Sequence, residues 1–166
     1  MKLSVDNEDK LERLLFLSRV VKKEIHHLNY SADKVFNDAF TEERAKRLAS
    51  DEVLAEQVEA FTSRFCRLQD TIGDKLLPAW LDALGEKTSV AIDNLDKAEK
   101  MGVLPSVEQW LTVRQLRNQM IHEYIEDLTI LADALQTAYS YLEFIVDVGE
   151  SIIKDLENRM TKTKVL

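Results

Sequence analysis

The segment Arg114-Gln-Leu-Arg117-Asn118-Gln-Met-Ile-His122-Glu-Tyr124 concentrates the residue types that phosphate chemistry requires. Arginine offers a planar, permanently charged fork for phosphate oxygens. Histidine titrates near neutrality and moves protons as a general acid or base. Asparagine orients a hydroxyl or a phosphate. No metal-binding cluster accompanies these residues, so the reaction they suit is attack by an RNA 2′-hydroxyl on its adjacent phosphate. A cyclic phosphate end would result, with His122 moving protons and Arg117 stabilising the charge that develops. Each residue also has an ordinary reading. Arginine and asparagine are common on helix surfaces, Arg114 can simply pair with a carboxylate, and Tyr124 suits an interface.

Helical geometry constrains how these side chains meet. Arg114, Asn118 and His122 recur every fourth residue and drift only about 40° per step, forming one polar ridge. Arg117 and Tyr124, seven apart, make a neighbouring ridge. Arg117 and His122 are about 140° apart on an ideal helix. They converge only if the arginine reaches round, the helix deforms, or a second subunit supplies one partner.

The elements that carry this segment are helical. Four glycines and two prolines punctuate the chain, and between them apolar residues recur at spacings of three and four. The first stripe is Leu11, Leu14, Ser18, Val21, Ile25 and Leu28, after caps at Ser4 or Asp6. The second, Leu54, Val58, Phe61, Phe65, Leu68, Ile72 and Leu76, follows Asp51 and is interrupted at Pro78. Residues 30–50 read as a loop holding a short polar helix capped by Thr41. A modest helix spans Ser89 to Met101, ended by Gly102. Ser106-Val-Glu-Gln109 matches a capping box and opens the helix with the apolar ridge Trp110, Val113, Leu116 and Met120. One last long helix, opened by Asp127 or Thr129, carries Leu131, Leu135, Ala138, Leu142, Ile145, Gly149, Ile152 and Leu156. A second line, Ile130, Tyr141, Phe144 and Val148, predicts a dimer contact in addition to the core. Residues 160–166 read as a frayed tail. The expectation is an all-α, up-and-down bundle of four to five main helices, one domain over residues 1–166.

Composition narrows the function. The chain of 166 residues carries 22 Lys+Arg against 30 Asp+Glu, a net charge of -8, which argues against a general nucleic-acid coat but leaves room for a focused cationic pocket. With 45% hydrophobic residues it is too apolar for a disordered chain. No apolar run suggests a membrane span or a secretory leader, so a soluble, cytoplasmic protein is expected. The single cysteine, Cys66, excludes an internal disulfide and reads as a small buried hydrophobe. Phosphate-cradling glycine loops are absent. The lone Glu24-x-x-His27 pair, short of the two such elements a di-iron bundle uses, reads as a solvated face. Metal and cofactor are expected to be none.

Arg117-Asn-Gln-Met-Ile-His122-Glu-Tyr124 resembles the Arg-x4-His-x-Tyr motif of the HepT-like branch of the HEPN superfamily, and Asn118 matches the common form of that motif. Arg64-Phe-Cys-Arg-Leu-Gln-Asp70 is similar, more loosely, to the polar-marked second helix of the family. The resemblance implies a HEPN-like bundle that dimerises and joins the motifs of both subunits in a shared cleft. It further implies a metal-independent endoribonuclease toxin whose antitoxin is a minimal nucleotidyltransferase able to attach AMP to the motif tyrosine. On that basis Arg117 and His122 are catalytic, Asn118 supports them and Tyr124 is the modification site. Arg114 and Asp70 lack a counterpart in the motif and stand only as neighbours of the cleft. The alternative is a non-catalytic nucleotide-binding or substrate-binding subunit of a nucleotidyltransferase.

Overall fold

The computed structural model describes residues 8–122 and 126–164, with Ile121 and His122 described as backbone only. Ser4, Asp6 and Tyr124 therefore lie outside the described residues. The chain forms an all-α helical bundle with no strand among the described residues. Its helices are α1 (Glu8–Val35), α2 (Glu42–Lys46), α3 (Glu52–Thr71), α4 (Leu77–Ala83), α5 (Ala91–Lys100), α6 (Val107–His122), α7 (Leu128–Ser140) and α8 (Leu142–Lys164). The described residues divide into two compact units, one from residues 8–23, 70–107 and 146–164, the other from 24–69 and 108–145.

The apolar stripes become the cores. Every member of the ridge that runs from Leu54 along α3 and on to Ile72 and Leu76 beyond it is at most 5% exposed. On α1, Leu14, Val21, Ile25 and Leu28 are buried, and Ser18 joins them because its hydroxyl donates to the Leu14 carbonyl at 2.8 Å. The stripe does not stop at Leu28. Ala32 and Val35 continue it at the same spacing and are buried, so α1 runs on where a loop was expected from residue 30. Beyond it, Arg44 holds the turn together. Its guanidinium donates to the carbonyls of Val35 and Asp38 and to Asn37 Oδ1, satisfying groups that the end of a helix leaves open. Thr41 caps α2 as expected, accepting from the Arg44 amide at 3.2 Å.

Several helix ends follow from single residues. Asp51 Oδ1 accepts from the Leu54 amide at 3.0 Å and starts α3. Gly102, at φ 82, ends α5 with Val103 N–H bonded to Ala98 O and Gly102 N–H to Glu99 O, the paired bonds of a left-handed helix stop. Asp127 is the residue that opens α7, accepting from the amides of Thr129 and Ile130. Asn94 accepts from the Ser89 amide and donates to the Ser89 carbonyl, fixing the approach to α5.

Three further expected boundaries differ. Pro78 does not interrupt the second helix. A π-helical turn over Ile72–Leu76 passes the chain into α4, with Leu77 N–H reaching back five residues to Ile72 O, so the missing proline amide falls in the first turn of a new helix where no donor is needed. The expected last helix is two. Tyr141, at φ -95 and ψ 0, separates α7 from α8 while the Ser140 hydroxyl takes up the Thr137 carbonyl at 2.6 Å. The tail expected to fray from residue 160 is helical to Lys164.

In the first unit, Gly149 lies in close contact with two apolar side chains. A Cβ there would lie 3.0 Å from Ile72 Cδ1 and 3.2 Å from Val21 Cγ1. The same unit contains a polar lock in its interior: Trp80 Nε1, on a residue 1% exposed, donates to Asp155 Oδ2 at 2.9 Å, and Arg159 Nε reaches the same oxygen at 2.7 Å. Asp155→Ala leaves the buried indole N–H without its acceptor, a loss of about 1–3 kcal/mol. Urea unfolding followed by tryptophan fluorescence should show that loss, and Asp155→Asn, which keeps an acceptor, should lose clearly less.

Candidate phosphate-handling site on α6

The geometry of α6 is set by its inward side. Trp110, Val113, Leu116 and Met120 are buried at 5% exposure or less, the ridge expected from their spacing. Phe144 packs against Trp110 with ring centroids 6.4 Å apart, and Tyr141 lies edge-on to Phe144 at 6.2 Å. With that side committed, Arg114 and Asn118 are exposed and Arg117 is half-buried. Helix winding thus presents two arginines and an asparagine on the sectors away from the core.

Arg117 and Asn118 are brought together directly: Arg117 Nη1 donates to Asn118 Oδ1 at 3.2 Å. Beneath them, the thiol of Cys66 lies 4.0 Å from the Arg117 carbonyl. Cys66 is buried, as its place beside the α3 stripe suggested. A thiol is the small, weak donor that lets α3 and α6 approach here while still facing a carbonyl. Arg114 lies one turn before Arg117 with no hydrogen bond or ion pair among the described residues, so its charge is available to a ligand.

α6 ends at His122, whose side chain, like Tyr124, lies outside the described residues. Asp70 occupies the last turn of α3, half-buried and engaged in an interaction of its own; it belongs to the unit of residues 70–107, whereas Arg117 belongs to that of residues 108–145. Among the described residues no group of three or more His, Cys, Asp or Glu side chains is arranged to hold a metal ion. No described helix is long and apolar enough to cross a membrane.

The second line of α7 and α8 divides. Val148 is 3% exposed within its own chain, whereas Ile130 is 43% exposed. Tyr139, also exposed, has its ring stacked on Phe36 at 4.3 Å, and Phe36 in turn meets Phe61 edge-on at 4.9 Å.

One arrangement emerges only in three dimensions. Arg64 and Arg67, one turn apart on α3, line a cleft with Glu24 and His27 of α1. The signal was present in two i, i+3 pairs, Glu24 with His27 and Arg64 with Arg67, but nothing in the one-dimensional pattern says that the two pairs face each other. Arg64 Nη1 donates to the His27 carbonyl at 3.1 Å and to Ser31 Oγ at 2.6 Å. Ser31 is 3% exposed, so this bond satisfies a hydroxyl that α1 carries into the interior.

No family model, curated protein or solved structure matches this chain. The site must therefore be argued from its own residues.

Removing the anchoring arginine separates structural from surface roles. Arg64→Ala leaves the Ser31 hydroxyl buried without its donor and should cost about 1–2 kcal/mol. Arg67→Ala and Arg114→Ala, on exposed side chains without hydrogen bonds or ion pairs among the described residues, should stay within about 0.5 kcal/mol of the parent. Equilibrium urea denaturation of the three variants checks this ordering.

Proposed function

We propose that the chain is a metal-independent endoribonuclease of the HEPN type, acting as the toxin of a pair whose antitoxin is a minimal nucleotidyltransferase. The observation that carries the reading is the junction of Arg117 with Asn118 on the outward side of α6, five residues before that helix ends at His122. Supporting it are the Arg117-x4-His122-x-Tyr124 spacing and the exposed cation of Arg114 one turn earlier.

The chemistry requires no cofactor. The 2′-oxygen of a ribose attacks the adjacent phosphorus as its proton passes to an imidazole. The bond from phosphorus to the 5′-oxygen breaks, and that oxygen takes up a proton as it leaves, giving a 2′,3′-cyclic phosphate and a 5′-hydroxyl. Arg117 faces the added negative charge with a fork that remains charged throughout. Its bond to Asn118 fixes the rotamer of a long side chain before substrate arrives, which lowers the ordering cost of binding. Since Arg117 and His122 are about 140° apart around an ideal helix, a homodimer gives each arginine an imidazole from the facing subunit. The exposed Ile130 near the start of α7 is available to such a contact. AMP attached at Tyr124 would bring a phosphate to Arg117 and occupy the place of the RNA phosphate, which is how the nucleotidyltransferase would silence the toxin.

Digestion of RNA in EDTA by the parent and by His122→Ala tests the assignment. The parent should cut and leave cyclic phosphate ends, and the variant, with its helical circular dichroism intact, should lose at least about 100-fold in rate. Cleavage that needs a divalent metal, or that persists undiminished in the variant, overturns the proposal. RNA left whole by a parent protein that still binds nucleotide transfers the assignment to a non-catalytic partner subunit of a nucleotidyltransferase.

A further inference from the structure

The cleft lined by Glu24, His27, Arg64 and Arg67 encloses about 140 Å³. Sites for drug-sized ligands begin at roughly 300 Å³, and at ~30 Å³ per water this cleft has room for only about four or five waters. Its occupant is a single small group. Two guanidiniums against one carboxylate leave the lining net positive, so that group is an anion.

The arginines are prepared for it. Arg64 spends only Nη1 on the protein, donating to His27 O and Ser31 Oγ. Nε and Nη2, along the other edge of the same planar fork, have no hydrogen bond among the described residues. Held at one end and open at the other, the fork has already lost the freedom that binding would otherwise take from it. Arg67 is exposed, lies one turn further along α3, and forms no ion pair among the described residues. Two like charges three residues apart on a helix repel, and an anion between them converts that repulsion into attraction. The His27 imidazole, exposed on α1, lines the same cleft and adds a donor from a second helix.

Two guanidinium forks on α3 and an imidazole on α1 line one cleft, and together they offer more donors than the two oxygens of a flat carboxylate take up. A phosphate monoester presents three terminal oxygens, enough to meet the Arg64 edge, Arg67 and His27 together. The geometry points to this cleft as a binding site for a phosphate monoester group, free or at the end of a nucleotide. None of the α6 residues takes part, so the site stands or falls apart from the ribonuclease reading.

Titration of the full chain with inorganic phosphate at constant ionic strength, followed by NMR of arginine Nε and histidine ring resonances, tests the proposal. Saturable shifts at Arg64 and His27 are expected at millimolar phosphate. AMP should reproduce them and adenosine should not. Arg67→Ala should weaken binding by about tenfold, the loss of one charge-assisted contact. Arg64→Lys, which keeps the charge and removes the fork, should weaken it comparably with helical content unchanged. Absence of saturable shifts, equal responses to AMP and adenosine, or unaltered affinity in a folded Arg67→Ala variant overturns the proposal.

Discussion

The buried ridge of α3 is the constraint from which the rest of the chemistry follows. Seven side chains from Leu54 to Leu76, spaced by three and four, lie in the interior. Fully burying each large apolar side chain contributes roughly 1.5–3 kcal/mol, whereas an exposed ion pair contributes about 0–1 kcal/mol. The rotation of the helix is therefore set by its ridge, and the charged residues occupy whatever sectors remain. Arg64 and Arg67 emerge toward α1, and Cys66 faces the Arg117 carbonyl on α6. A polar cleft and the footing of a polar helix are thus both products of one apolar stripe.

The same logic governs α6. Trp110, Val113, Leu116 and Met120 fix its inward side, so Arg114 and Asn118 face water without any polar contact needed to hold them there. Functional side chains mounted on an element that packing has already oriented need little further ordering. The bond from Arg117 to Asn118 removes part of what is left. Two kinds of preorganisation therefore coexist in the unit of residues 24–69 and 108–145. On α6 an arginine is steadied by its sequence neighbour, and in the α1–α3 cleft one is steadied by groups more than thirty residues away.

What was legible in the sequence was what depends on local chemistry. The apolar periodicity of α3 and α6 was readable because each ridge repeats over several turns. Thr41, Asp51, Gly102 and Asp127 were readable because a cap or a left-handed stop is made within a few residues. The features that were not legible rely on distant partners or on ordinary residue types. The last turns of α1 contain Asn29, Tyr30, Ser31 and Asp33, a polar run that reads as loop. Its helix persists because Ala32 and Val35 reach the interior and Arg64 satisfies Ser31. Tyr141 breaks the last helix without a glycine or proline to announce it. Of the proposed active site, the α6 segment was visible as a cluster of types, but the Arg117–Asn118 bond belongs to three dimensions, as does the separate α1–α3 cleft that His27 lines with Arg64 and Arg67.

The π-helical turn at Ile72–Leu76 makes this stretch sensitive to length in an unusual way. It holds one residue more than an α-turn would need, and the wider turn takes up that surplus, so α4 continues in phase with the helix before it. Deleting one residue there would let the chain rewind as an ordinary α-helix and leave α4 near its present rotation, with the Trp80 indole still turned to the Asp155 carboxylate that receives it. Inserting one more, with the surplus already taken up, would swing α4 by about 100°. The segment therefore tolerates a shorter chain better than a longer one.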